Sequence, residues 1–176
     1  MKPALTEQQA YDLVEAHVRA AFGALPDFAG RVLFSRSRSE CADPTDGGPA
    51  GRYEISATYE VTGLDPADFG EHIDALVAWG LEYGFTVLAD HRPADQYVFA
   101  RHETDGFDLS VQAGEPGRLY LGATSPCVWP DGEPPAPSPP PPPVEPAPVA
   151  KPRPRRETVD DEDFGDTDWS DGGPAY

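Results

Sequence analysis

Apolar and polar side chains alternate without interruption between Arg52 and Thr62. One side of this run carries Tyr53, Ile55, Ala57, Tyr59 and Val61. The positions between them carry charged or hydroxyl side chains. Because the side chains of a strand point alternately to its two faces, this pattern predicts a strand with one buried and one solvated face. Such strands are typical of antiparallel sheets, so another layer must cover the apolar face.

The first candidate for that layer is a helix that begins after Thr6. Thr6 and Gln9 have the spacing of a capping box. Apolar residues then recur at helical spacing, at Val14, Val18, Ala21, Phe22 and Leu25. Pro26 ends the pattern, because proline disrupts a helix interior.

A second helix is predicted from Asp65, with Pro66 in its first turn. Its apolar stripe consists of Phe69, Ile73, Leu76, Val77 and Gly80. Gly84 is placed to end this helix in a left-handed conformation.

Further strands are predicted on both sides of this helix. They cover residues 31–40, 85–89, 96–103, 107–113 and 119–124. Short segments rich in turn-forming residues connect the last four. The predicted fold is therefore an α+β domain over residues 4–130. An antiparallel sheet of about five to six strands carries both helices on one face.

The composition changes after this domain. Of the 22 prolines of the chain, 13 lie between Pro134 and Pro174. Residues 131–156 are a proline-rich linker with a basic end, and residues 157–176 are acidic and aromatic. Because this part has almost no aliphatic residues with which to build a core, we expect it to be disordered.

The net charge of −18 disfavours binding to nucleic acids or to anionic membrane surfaces. The N-terminus has no apolar core of a signal peptide, and no apolar run reaches the length of a membrane span. These features predict a cytoplasmic protein. Export to the cell envelope is the alternative.

Residues 1–130 contain none of the familiar catalytic or phosphate-binding motifs. The four histidines are His17, His72, His91 and His102. A hairpin between the last two would separate their rings by about 20 Å, at 3.3 Å per residue, so they cannot share a metal. We therefore assign no catalytic, cofactor-binding or metal-binding residue, although an enzyme without a recognisable motif stays open.

Arg31, Arg36 and Arg38 form the basic cluster of the predicted domain. Arg36 and Arg38 share one face of their strand. This cluster is either a solvated face that discourages edge pairing or a dock for an acidic peptide.

The two cysteines, Cys41 and Cys127, are too few for a disulfide scaffold and could be two thiols or one bridge. We predict that they are neighbours in space, and that they stay reduced in a cytoplasm.

The stretch from Trp79 to Pro130 resembles a group of small actinobacterial domains, many of which look like mature parts of lipoproteins or secreted proteins. The resemblance rests on the helix that runs into Gly84–Val87, on the successive hairpins and on the ending Thr124–Pro130. It implies the same fold, a bridge between Cys127 and Cys41, and a cell-envelope ancestry. It implies no activity.

Residues 157–171 combine eight acidic residues with Phe164 and Trp169. The candidate partner-binding residues are Phe164, Trp169, Asp161, Asp163, Asp166 and Asp168. Two arginines precede Thr158 at −3 and −2, which many basophilic kinases accept, so Thr158 is a predicted phosphorylation site. Asp161 follows at +3, which resembles the phosphothreonine ligand of forkhead-associated domains. We therefore predict a non-enzymatic interaction protein that presents this segment to a protein partner. The alternative is an envelope-associated domain that binds a ligand.

Overall fold

A computed structural model describes residues 5–41, 48–114 and 116–136. Within these ranges the fold is α+β, with two helices and a six-stranded antiparallel sheet, as the sequence predicts. The helices are α1 (Glu7–Phe22) and α2 (Phe69–Tyr83). The strands are β1 (Gly30–Glu40), β2 (Tyr53–Thr62), β3 (Phe85–Asp90), β4 (Tyr97–His102), β5 (Asp108–Gly114) and β6 (Arg118–Thr124).

Local signals fix the ends of both helices. The Thr6 hydroxyl accepts from the Gln9 N–H, and the Gln9 side chain accepts from the Thr6 N–H, so both halves of the capping box are present. A short 3₁₀ turn, Pro66–Asp68, precedes α2, and Asp65 caps it. Gly84 ends α2 at φ 110°, a left-handed conformation that glycine adopts without a steric penalty.

The strand order is β1-β2-β6-β5-β4-β3. Strands β3 to β6 form a meander, and β6 returns to pair with β2 across the middle of the sheet. The return places β1 and β3 at the two edges. Both edge strands contain a register shift, between Leu33 and Ser35 in β1 and between Val87 and Ala89 in β3.

Both helices pack on the same face of the sheet. Val14 and Val18 of α1 and Ile73 and Leu76 of α2 are at most 3% exposed. They share one core with the inward side chains of β2, β4, β5 and β6. The opposite face, which carries Tyr120 among others, is not covered by either helix.

The chain after β6 returns to the start of α1. Val128 pairs with Tyr53, and the Glu7 N–H donates to the Pro130 carbonyl over 3.1 Å. Val128 also packs with Ala10 and Ile55 in a second, smaller core. The segment predicted to be disordered comprises residues 131–176. Its first residues are described, and the Gly132 N–H donates to the Trp129 carbonyl over 3.1 Å, whereas the part from residue 137 onward lies outside the described residues.

Candidate functional site

A cleft of about 620 Å³ lies at the end of the sheet where the chain returns to α1. Leu5 and Leu13 line it from the α1 side, and Trp129 lines it from the returning chain. The turn between β4 and β5 contributes Asp105. By contrast, the hollow between α2 and the sheet is only about 20 Å³ and is lined largely by apolar side chains. The cleft is therefore the better candidate for a ligand site.

Beside this cleft, Asp105 joins two histidines from distant parts of the chain. His17 lies in the middle of α1, and His102 is the last residue of β4. The His17 Nε2 atom is 3.0 Å from Asp105 Oδ2, and the His102 Nδ1 atom is 2.8 Å from Asp105 Oδ1. We call these three residues the His–Asp–His cluster.

The cluster is largely withdrawn from solvent. The side chains of His17, His102 and Asp105 are 6%, 14% and 27% exposed. The His17 ring lies 5.1 to 5.5 Å, centre to centre, from the rings of Phe85, His102 and Phe107. These aromatic neighbours fix the orientation of the His17 ring.

Burial and charge act in opposite directions on the cluster. Burial disfavours the imidazolium and lowers the pKa of His17, although the nearby Asp105 carboxylate opposes this effect. Burial alone would raise the pKa of Asp105. The Phe107 N–H and the two histidines nevertheless hold the pKa of Asp105 below its ordinary value. A neutral His17 beside an ionised Asp105 follows from these directions.

Sequence reasoning missed this cluster. It compared His91 with His102, because they bracket one strand, and assigned no metal ligand. The partner of His102 is instead His17, which a crossover and several strands separate from it along the chain. The signal that was present, a polar His17 among the apolar positions of α1, does not reveal which residue it meets.

The two cysteines lie at the edge of the same region. Cys41 follows β1, and Cys127 lines the cleft. Their sulfur atoms form a disulfide, with the Cα atoms 6.2 Å apart. The bridge attaches the returning chain to the end of β1. Because the sulfurs are bonded to each other, they offer no thiolate to a metal, although Glu54 lies nearby.

The arginines predicted as an acidic-peptide dock already have partners. Arg36 donates to Glu15 over 2.7 Å, and Arg38 donates to Glu7 over 2.9 and 3.0 Å. Arg31 instead lies over the rings of Phe22 and Tyr59. Helix α1 thus places its own carboxylates against Arg36 and Arg38, and the role of the three arginines as a solvated face or as a dock stays a prediction.

The Glu15 carboxylate interacts with Tyr59 as well as with Arg36. The Tyr59 hydroxyl donates to both of its carboxylate oxygens, at 2.7 and 2.8 Å. Burial alone would raise the pKa of Glu15, but the hydrogen bonds from Tyr59 and Arg36 lower it overall. The ion pair is thus part of a network that fixes α1 to β1 and β2.

A second candidate surface lies on β1 and on Phe28 just before it. Phe28, Val32, Leu33 and Phe34 are between 46% and 70% exposed. Phe34 reaches the uncovered face of the sheet, where its ring lies 4.8 Å from that of Tyr120. We call these four residues the β1 apolar edge.

The remaining candidates fall outside the described residues. They are Thr158, Asp161, Asp163, Phe164, Asp166, Asp168 and Trp169. Their proposed roles in partner binding and phosphorylation stay predictions.

Comparison with family models, with curated proteins and with solved structures finds no match to this chain. In the described ranges, neither helix has the length and apolar character needed to cross a membrane.

Proposed function

We propose that this chain is a non-enzymatic interaction protein that contacts other proteins through its edge strand β1 and through its acidic C-terminal segment. The observation that carries the proposal is the β1 apolar edge. Large apolar side chains clustered on an exposed sheet edge mark interaction surfaces, because edges are otherwise protected by charge, by shortness or by cover.

The chemistry of β1 favours an extended acidic segment as the partner. Strand β1 pairs with β2 on one side, so its other side offers main-chain hydrogen-bonding groups. Val32 and Phe34 supply apolar contacts. Arg36 and Arg38 lie further along the strand and are paired with Glu15 and Glu7, although their side chains stay 49% and 41% exposed. An added strand that brings further carboxylates near these arginines would use the free edge, the apolar contacts and the exposed part of the arginines.

Residues 157–171 have the composition that such a partner needs. They carry eight acidic residues around Phe164 and Trp169. We propose that this segment is presented to a partner protein, with the proline-rich residues 134–149 as a spacer. It also provides a natural probe for the β1 apolar edge.

The proposal is tested with a labelled peptide of residues 157–171 and the chain truncated after Ala136. Circular dichroism first establishes that the truncated chain keeps its fold. Fluorescence anisotropy should then show saturable binding. We expect Val32→Ala combined with Phe34→Ala to weaken it by about tenfold or more, because truncated apolar anchors dominate such losses.

The matched control is Leu88→Ala. Leu88 is 53% exposed on the opposite edge strand β3. Equal binding by this variant and the unmodified chain supports the assignment to β1. A lack of saturable binding, or equal losses in both variants, contradicts it. Sedimentation velocity of the truncated chain detects the competing occupant, a second copy paired along β1.

The acidic segment has its own test in the full chain. We expect the combined Phe164→Ala and Trp169→Ala variant, and truncation after Arg156, to lose the same partner protein in affinity capture from the native host. If both variants retain every partner of the intact chain, the segment is a solubilising appendage.

A second candidate function is ligand binding in the cleft beside Asp105. Its volume of about 620 Å³ falls within the range of small-molecule sites. The Cys41–Cys127 disulfide fits an oxidising compartment and thus the envelope alternative. Alkylation of free thiols in intact cells of the native host tests this. Modified cysteines favour the cytoplasm, and protected ones in an extracytoplasmic fraction favour the envelope.

A further inference from the structure

We propose that His17, His102 and Asp105 form a binding site for a divalent transition-metal ion of the zinc class. This inference is independent of the proposed role of β1. It rests on the separations of the ligand atoms, on the hydrogen bonds around them and on access from the cleft.

The ligand atoms already lie close together. One atom from each of the three residues lies within 4.8 Å of the other two. The nitrogens of His17 and His102 are 3.0 and 2.8 Å from the Asp105 oxygens. Two ligands at about 2.0 to 2.1 Å on a tetrahedral zinc ion are about 3.3 Å apart. The two nitrogens approach different Asp105 oxygens, Oδ2 for His17 and Oδ1 for His102, and each separation would widen by about 0.3 to 0.5 Å to reach this value.

The ring nitrogens of His102 are arranged as in a metal-bound histidine. The Nδ1 atom lies 2.8 Å from Asp105 Oδ1, and the Nε2 atom lies 3.3 Å from the Tyr83 carbonyl oxygen, which can only accept. With Nε2 as the donor to this carbonyl, the Nδ1 lone pair is directed to the place between His102 and Asp105 that an ion would occupy.

A metal ion fits the surroundings of both His102 and Asp105. A metal-bound histidine typically donates its other ring N–H to a carbonyl or carboxylate, as His102 does toward Tyr83. Asp105 is likewise oriented from behind, because Asp105 Oδ1 accepts from the Phe107 N–H over 3.1 Å. These bonds place two of the three ligands before any ion arrives.

His17 completes the set from α1. Its Nε2 atom points at Asp105, and the aromatic rings around it hold this orientation. With Nε2 on the metal, the proton moves to Nδ1. That atom is buried, and it has no hydrogen-bond partner among the described residues. We therefore expect weaker binding than in structural zinc sites with four protein ligands.

The site is open on one side. Asp105 lines the cleft of about 620 Å³, which supplies an entry path. Three protein ligands leave a fourth tetrahedral position for water or for a donor atom of a bound molecule.

The test uses the full chain, made without a histidine tag and treated with a chelator. Zn²⁺ is titrated calorimetrically at pH 7.5, with excess Mg²⁺ present to occupy exposed carboxylates. Co²⁺ is used in parallel, because its visible absorption reports tetrahedral coordination. We expect one ion per chain, with Zn²⁺ displacing Co²⁺.

Two conservative substitutions assign the ligands. We expect Asp105→Asn and His102→Gln each to weaken binding by about tenfold or more. The matched control His91→Gln, at an exposed histidine, should bind as the unmodified chain does. Circular dichroism verifies the fold of each variant.

A measurement on the unmodified chain covers the case in which a variant fails to fold. Nitrogen-15 spectra of the imidazoles should show ring-nitrogen shifts for His17 and His102 on addition of Zn²⁺, with His72 and His91 unchanged. Absence of saturable binding, or shifts confined to His72 and His91, overturns the proposal. In that outcome the cluster is a purely structural, hydrogen-bonded link between α1 and the β4–β5 turn.

Discussion

Helices α1 and α2 lie on the same face of one sheet, but different interactions fix them to it. Side chains of α1 form ion pairs or hydrogen bonds with β1, β2 and the β4–β5 turn, through Glu7, Glu15 and His17. The disulfide adds a covalent link on the same side of the sheet. Helix α2 relies mainly on buried apolar residues such as Ile73, and Asp74 adds an exposed ion pair with Arg92.

The two helices therefore differ in how far their contacts with the sheet involve ionisable side chains. Apolar packing holds α2 in place, and its ion pair with Arg92 lies at the surface. The polar links of α1 instead gather carboxylates, histidines and arginines around the cleft and along β1. The His–Asp–His cluster consequently lies next to α1.

The two edge strands, β1 and β3, also differ from each other, in length and in the side chains that they expose. Strand β1 has eleven residues and exposes Val32, Leu33 and Phe34. Strand β3 has six residues, and Asp90 at its end pairs with Arg92. A short strand is a protected edge, and β1 is nearly twice as long as β3 and exposes more large apolar side chains, so β1 is the better candidate for binding although it also carries charged residues.

The largest expected effect tests the covalent link of the α1 half. Replacing both Cys41 and Cys127 by serine releases a loop with a sequence separation of 86. In the chain-entropy model this costs about 4 to 5 kcal/mol of unfolding free energy. Urea unfolding under non-reducing conditions measures it. A loss below about 1 kcal/mol would mean that the bridge does not constrain the unfolded chain as this model assumes.

The next effect tests the packing of α2. Ile73 is fully buried, and Ile73→Ala should cost about 3 kcal/mol because it leaves a cavity in the shared core. Leu81→Ala is the control on the same helix. Leu81 is 59% exposed, so its loss should stay within about 0.5 kcal/mol. Urea unfolding of both variants gives the comparison, and similar losses would contradict the assigned core.

A smaller effect compares the starts of the two helices. Thr6→Ala removes the capping hydrogen bond of α1 and should cost about 1 kcal/mol. Asp65→Ala removes the bond to the Ala67 N–H, but this cap serves the short turn before α2. We expect it to cost less than Thr6→Ala, as measured by thermal unfolding. The reverse order would show that α2 depends on its cap more than on its packing.

The smallest effect appears only in acid. The hydrogen bonds from Arg92 lower the pKa of Asp90 to about 2, and Tyr59 and Arg36 lower the pKa of Glu15 despite its burial. Asp90 and Glu15 each contribute to the free energy of unfolding. Each contribution is complete above the ordinary carboxylate pKa of about 4 and is lost as the pH falls through the pKa of the folded state.

Asp90→Asn and Glu15→Gln should therefore each make the free energy of unfolding depend less on pH in the acid range. The two halves of the domain should differ in salt. Asp90 is the more exposed carboxylate, so added salt should remove most of its contribution and leave more of that of Glu15. Urea unfolding at several pH values and two salt concentrations measures this. Equal salt sensitivity would remove the distinction between the halves.

The secondary structure could be predicted from the sequence because its signals are local. The capping box at Thr6 and Gln9, the left-handed Gly84 and the alternation in β2 each act within a few residues. Predicted boundaries consequently fall within a few residues of the observed ones.

The candidate site could not be predicted in the same way. His17 and Asp105 are separated by 88 positions, and Arg36 and Glu15 by 21. The first pair depends on where the sheet topology places the β4–β5 turn, and both pairs depend on which face of α1 meets the sheet. Periodicity along the chain therefore led to a comparison of His91 with His102 rather than of His17 with His102, and it did not reveal the carboxylates that meet Arg36 and Arg38.

By itself, the sequence determined that this chain contains an α+β domain whose sheet buries one face, because periodicity and capping depend on neighbouring residues. Tertiary structure alone decided the strand order, the exposure of β1 and the meeting of His17, His102 and Asp105. These features arise when the sheet and helices bury their shared apolar face, and polar residues on different elements then become neighbours.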